Sequence, residues 1–175
     1  MINLDKLLVV VDMQVDFVTG SLGSPEARQI VPRVVEKVKQ ALENKYTVVH
    51  TMDTHGEDYL NTFEGKNLPV KHCIDGTDGW ELISELKNLL PEKHQIRKPT
   101  FGSLSLIREY QKENFSEIEL CGVCTDICVV SNALLLRAAF PNTKIVVDSK
   151  ATAGSSMEAH EAALLVMQKN QIEVI

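Results

Sequence analysis

With 175 residues, 44% of them hydrophobic and 24% charged, the chain has the balance of a globular protein and the length of one domain with a buried core. No apolar run approaches the roughly 20 residues a membrane-spanning helix needs, and the net charge of −6, without a dense basic run, argues against nucleic acid as a partner. The opening MINLDKLLVVVD has a short apolar run that ends in an acid and no small-residue cleavage site, so a cytoplasmic location is expected, in which the four cysteines stay reduced.

Short apolar, β-branched runs then alternate with helical patterns. In chain order the pattern predicts a strand at Leu7–Val11, then a helix that starts near Pro25 and Glu26 and carries Ile30, Val34, Val38 and Leu42 on one face. A strand at Tyr46–Met52 and a short helix at Trp80–Leu90 follow. Next come a strand at Gln95–Lys98, a short helix at Ser103–Lys112 and a strand at Glu117–Gly122. A longer helix is predicted at Thr125–Ala139 with Thr125 as its N-cap, then a strand at Lys144–Val147, a helix at Ser156–Lys169 and a last strand at Ile172–Ile175. This alternation predicts an α/β fold: a single-domain three-layer sandwich over residues 1–175, with a six-stranded, mainly parallel sheet and helices on both faces.

In open parallel sheets ligands sit beyond the carboxyl ends of the strands. The residues that follow the predicted strands are Asp12, then Asp53 and His55, then Lys98 and Phe101, then Cys124 to Cys128, then Asp148. Acids, a histidine, a lysine and cysteines are thus expected on one rim.

Three cysteines fall within CGVCTDICVV, Cys121 to Val130. Cys121 lies within a strand and reads as a small core residue. The spacing does not suit a metal cluster, because the first cysteine is in a strand and the last in a helix. Cys128, in the first turn of the helix, is favoured as a nucleophile because unpaired N–H groups and the helix dipole stabilise a thiolate. Cys124, in the turn, remains a rival. Asp12 can take and return a proton, and Lys98 can stabilise the thiolate or a developing oxyanion.

VVVDMQVDF (Val9–Phe17), RKPTFGS (Arg97–Ser103) and GVCTDICV (Gly122–Val129) occur in this order, each after a strand. Together with the late VVDSKATAGSSMEAHEAALLVM (Val146–Met167), they resemble the isochorismatase-like cysteine hydrolases almost end to end. The resemblance implies a triad of Asp12, Lys98 and Cys128. It also implies a cis peptide bond at Val123–Cys124 and an oxyanion hole made by the backbone N–H groups of Cys124 and Cys128.

Within MDTHGEDYLNTFEGKNLPVKHC (Met52–Cys73), Asp53 and His55 are two apart and fall on one side of an extended chain, and Glu64 and His72 follow across a loop. Two histidines and two carboxylates suit a divalent transition metal with room left for water. Asp58 or Asn61 are alternatives to Glu64. The D-x-H pair with a later H-C resembles the nicotinamidase/pyrazinamidase branch of that superfamily, in which a metal holds the substrate's ring nitrogen. The resemblance implies a metal-dependent amidohydrolase that converts nicotinamide, and pyrazinamide, to the acid and ammonia through a cysteine thioester. It implies zinc, or else iron or manganese, a setting in NAD salvage, and a homo-oligomer, dimer or tetramer. The alternative is another amide or carbamoyl hydrolase, or an isochorismatase, of the same superfamily. Phe17, Phe101 and Leu68 are expected to bind substrate; Leu68 lies where that branch often carries an aromatic residue. His94 and His160 read as structural or solvent-facing.

Overall fold

A computed structural model describes residues 5–175, and Met1–Leu4 of the N-terminal stretch lie outside the described residues. Six strands form one sheet: β1 (Lys6–Val11), β2 (Thr47–Asp53), β3 (Gln95–Lys98), β4 (Glu117–Val123), β5 (Lys144–Ala153) and β6 (Glu173–Val174). Their order is β3-β2-β1-β4-β5-β6, and every neighbouring pair is parallel. The helices are α1 (Val15–Val18), α2 (Pro25–Glu43), α3 (Phe63–Asn67), α4 (Ser84–Lys87), α5 (Leu104–Tyr110), α6 (Val130–Ala139) and α7 (Met157–Lys169).

Alternation along β1 explains the layering. Leu8 and Val10 face one side, where Ile30, Val34, Val38 and Ala41 of α2 pack with Val48, Met52 and Cys121. Leu7, Val9 and Val11 face the other, against Leu106 of α5, Ala133 and Leu136 of α6 and Met167 of α7. Each fully buried Val or Leu is worth about 1.5–3 kcal/mol, so the two faces together outweigh the modest helix propensity of the β-branched residues in α2. Ser24 caps α2 by accepting from Ala27 N at 3.0 Å, and Pro25 follows at the first helical position. Among the described residues no helix is long and apolar enough to cross a membrane.

Four local predictions need correction. The helix expected at Trp80–Leu90 shrinks to Ser84–Lys87. Trp80 sits in a turn because its carbonyl accepts from the Gln14 amide at 2.9 Å and its indole N–H donates to Thr54 at 2.9 Å. The helix expected at Thr125–Ala139 starts with a wide π-helical turn, Thr125–Val129, in which Val129 N donates to Cys124 O at 3.0 Å. Thr125 is not an N-cap: its hydroxyl lies 2.7 Å from His160 Nδ1 on α7. The fifth strand runs on to Ala153, with a register shift opposite Leu120 and Gly122. Asp148 therefore lies inside β5 rather than on the rim, ion-paired with Arg33 at 3.1 Å and Lys37 at 2.7 Å.

Candidate active site

The chain runs from β1 to β2 and β3 in one direction and from β4 to β6 in the other, so the strand order reverses between β1 and β4. A crevice opens at such a reversal, beyond the strand ends. Asp12 follows β1 there and the cysteine turn follows β4. Gly122 allows their close approach: its φ is +114°, and a Cβ on it would meet Val11 O at 2.1 Å.

Asp12 is fully buried and takes a φ of +48°, in the left-handed region that aspartate tolerates better than most residues. Its Oδ1 accepts from the Thr51 hydroxyl at 2.6 Å and its Oδ2 lies 2.7 Å from Lys98 Nζ. Lys98, also buried, reaches Cys128 Sγ at 3.5 Å and Asp53 Oδ1 at 3.4 Å and donates to Thr100 O at 3.0 Å. The structure thus brings Asp12, Lys98 and Cys128 together. Burial lifts the Asp12 carboxyl above the usual aspartate value, against the pull of Lys98. Burial also works against charge on Lys98, but Asp12, Cys128 and Asp53 outweigh it and hold the ammonium form. The Cys128 thiol is raised well above its ordinary value by burial and then by the Asp12 charge, so it rests as the thiol beside the Lys98 ammonium, and the ionised Asp12 carboxylate is the group placed to take its proton. Such a carboxylate is a stronger base than an exposed one.

Cys124 also lines the crevice; burial, then Asp126 and Asp12, push its thiol up to about 12. The Val123–Cys124 peptide bond is cis. Cys121 is a buried core residue and Cys73 lies buried beside His72.

A few ångströms away, Asp53, His55, Glu64 and His72 each offer one ligand atom, all within 4.8 Å of one another. His55 Nε2 lies 2.9 Å from Asp53 Oδ2 and 3.6 Å from Glu64 Oε1; His72 Nε2 lies 3.4 Å from the first and 3.6 Å from the second. Ligands about 2.0–2.1 Å from a tetrahedral zinc are separated by roughly 3.3 Å, so these spacings fit a small divalent ion. Burial works against the charged forms of both Asp53 and His72, but hydrogen bonding overrides it, to His55 and then His72 for Asp53, and to Asp53 and then Glu64 for His72. With His55 and Lys98 also acting on it, Asp53 falls well below the carboxylate range, and with Glu64 adding to the pull His72 rises to about 10.

The supports of this group come from the fold. The Gln14 amide holds Asp53 from both sides, accepting from its N–H and donating to its carbonyl, each at 2.8 Å. His72 Nδ1 lies 2.8 Å from Val70 O, which leaves Nε2 for the group. Asp16 accepts from Cys73 N at 2.8 Å, and the Tyr59 ring packs on His55 and His72 at 4.7 and 4.9 Å. Glu64, in the first turn of α3, joins the group, and Asp58 does not.

Cys128 of the first group and Asp53, Glu64 and His72 of the second line one cavity of about 430 Å³. Phe17, packed on the His72 ring at 5.5 Å, lines it with Leu68 and Phe101, which are 38% and 41% exposed. The sequence reading missed Leu22, Ile127 and Ser155 as walls, and Gln14, Thr51 and Tyr59 as supports. Gln14 alone carried a signal, as an amide between Asp12 and Asp16. His94 Nδ1 lies 2.8 Å from Val48 O, and His160 braces the cysteine turn through Thr125.

The isochorismatase domain model matches residues 6–175. The chain belongs to the isochorismatase family. Within the family it is 31% identical to the uncharacterized isochorismatase family protein PncA of Bacillus subtilis, over 91% of this chain and 92% of that protein. It is 28% identical to the nicotinamidase of Schizosaccharomyces pombe, over 96% and 91%. The pyrazinamidase of Pyrococcus horikoshii, solved in complex with zinc, superposes with a TM-score of 0.83 at 27% identity, with 98% of each chain covered.

Proposed function

We propose that the protein is a metal-dependent amidohydrolase that deamidates nicotinamide, and pyrazinamide, to the acid and ammonia. The observation that carries this reading is that one cavity joins the Cys128–Lys98–Asp12 group to the Asp53–His55–Glu64–His72 group. Kinship to nicotinamidases and to a zinc-bound pyrazinamidase supports it.

Asp12 takes the Cys128 proton as the thiolate attacks the amide carbon. The backbone N–H groups of Cys124 and Cys128 receive the oxyanion. The C–N bond breaks as Asp12 returns the proton to the leaving ammonia, and a thioester to Cys128 remains. Asp12 then takes a proton from water as it attacks; the C–S bond breaks and the thiol regains its proton. Lys98 favours the ionised form of Asp12 against the effect of its burial. Asp53, His55, Glu64 and His72 would hold a divalent ion, with zinc proposed first. Such an ion supplies a Lewis-acidic anchor for the ring nitrogen. Phe17, Leu68 and Phe101 enclose the ring.

The four free cysteines suit a reducing cytoplasm. Exposed Phe63, Leu104, Met157 and Leu165 leave apolar surface that a homo-oligomer would cover. The test is ammonia release from nicotinamide before chelation, after it, and after metal is added back. Loss and recovery are expected; release that chelation leaves untouched overturns the role of the metal group.

A further inference from the structure

A buried hydroxyl must bond to something, and at Thr125 two partners compete. Thr125 is fully buried, at the first residue of the wide turn that carries Cys128. Its local preference is to cap, with its hydroxyl accepting from an N–H two or three residues on. Counted from Thr125, those are the N–H groups of Ile127 and Cys128. Ile127 N already donates to Cys124 O at 3.1 Å, and Val129 N donates to the same oxygen at 3.0 Å. The N–H left for a capping hydroxyl is that of Cys128, which the proposed chemistry needs for the oxyanion.

The fold supplies the other partner. Thr125 Oγ1 lies 2.7 Å from Nδ1 of His160, in the first turn of α7. Gly154, where a Cβ would meet His160 Cβ at 2.8 Å, lets the chain leaving β5 pass close against this helix. Asp126, next in the turn, accepts from Ser155 N at 2.8 Å and from the Ser155 hydroxyl at 2.6 Å. The segment from Gly154 to His160 thus grips the first two residues of the turn. His160 itself lines a different cavity, so it acts on the catalytic one only through Thr125.

We infer that His160 is a positioning residue: by engaging the Thr125 hydroxyl, it keeps the Cys128 N–H free to receive the oxyanion. π-Helical turns are rare and concentrate at functional sites. This one stays wide because the hydroxyl that would tighten it into an α-helical start is held by α7. The inference rests on the chemistry proposed at Cys128.

The test replaces His160 by Leu in the metal-loaded protein, which fills the space, excludes water and leaves Thr125 the Cys128 N–H as partner. With nicotinamide as substrate, kcat is expected to fall on the order of 10²-fold, the worth of one oxyanion donor, with KM unchanged. By NMR, the Cys128 amide proton is expected to move downfield as it becomes hydrogen-bonded. Adding Thr125→Val to His160→Leu removes the competing acceptor, and both kcat and the amide signal are expected to return toward the parent. A merely bracing histidine predicts no such recovery. His160→Asn, whose side-chain amide can reach the place of Nδ1, is expected to rescue both readouts as well. His160→Ala repeats the series should the Leu variant not fold. An unchanged kcat and amide signal in His160→Leu, or a double variant no better than the single one, would overturn the inference. If the parent releases no ammonia from nicotinamide, the amide signal decides alone. A downfield shift that Thr125→Val reverses would uphold the role of His160 while sinking the proposed substrate, and its absence would overturn both.

Discussion

Asp12 must be ionised to accept the Cys128 proton, and burial makes that ionisation harder than for an exposed aspartate. The acid limb of kcat/KM is therefore expected above the ordinary aspartate value of 3.8, with activity lost as pH falls through it. Asp12→Asn should cost on the order of 10²–10⁴ in rate, the usual worth of a general base, while metal content stays unchanged. A limb at or below the ordinary value would contradict the assignment. Gln14 acts through Asp53, and outer supports of this kind are typically worth about 10–100-fold in metal affinity. Competition with a chromogenic chelator should show a loss of that order for Gln14→Ala, and an unchanged affinity would make the double hydrogen bond merely structural. Leu68→Trp would add an aromatic face to the cavity. An aromatic pair is worth about 0.5–1.5 kcal/mol, so KM for nicotinamide should fall roughly 2- to 12-fold; a rise would mean that the ring does not pass this wall. Asp12, Asp53 and Lys98 were legible in the sequence because each lies at or just past the end of a strand, and Glu64 and His72 through their residue types across the loop that follows β2. Their supports were not. Gln14, Thr51 and Tyr59 act through partners 39 or more residues away for the first two, and through ring packing on two histidines for the third. No local pattern encodes such contacts.

The element that decides the cleft is the junction of β4 with the π-helical turn. Gly122 brings β4 against the end of β1, and the wide turn then places Cys124 and Cys128 on the same wall. Gly122→Ala forces a side chain into Val11 O and a φ that non-glycine residues resist, at a cost of about 1–3 kcal/mol. In a chain of this length that lowers Tm by at least about 2 °C, measurable by calorimetry. A variant as stable as the parent would mean that the two strands can separate at this point. The sequence predicted both the strand and the helix here. It did not reveal the wide turn, because an i to i−5 bond leaves no mark on apolar periodicity. Thr125 drew the N-cap reading for a sound local reason, but the contact with His160, 35 residues away, overrode it. Asp148 was misplaced because β5 continues through polar residues, which looked like the end of a strand and instead hold an ion cluster with Arg33 and Lys37.

At the scale of the molecule, the all-parallel sheet and its two helical layers were legible because fully buried strands read as unbroken Val, Ile and Leu runs. The reversal of strand order between β1 and β4 then fixes where side chains from β1, β2, β3 and the turn after β4 can meet. The loop from Asp53 to His72 brings the metal group to the same place. The reaction proposed for this cleft turns on Cys128 as the group that cleaves nicotinamide. The most direct measurement is the rate of ammonia release from nicotinamide by the metal-loaded parent, by Cys128→Ala and by Cys124→Ala. Release is expected from the parent and from Cys124→Ala, and none above background from Cys128→Ala with its metal still bound. Release by Cys128→Ala at the parent's rate would remove Cys128 as the nucleophile.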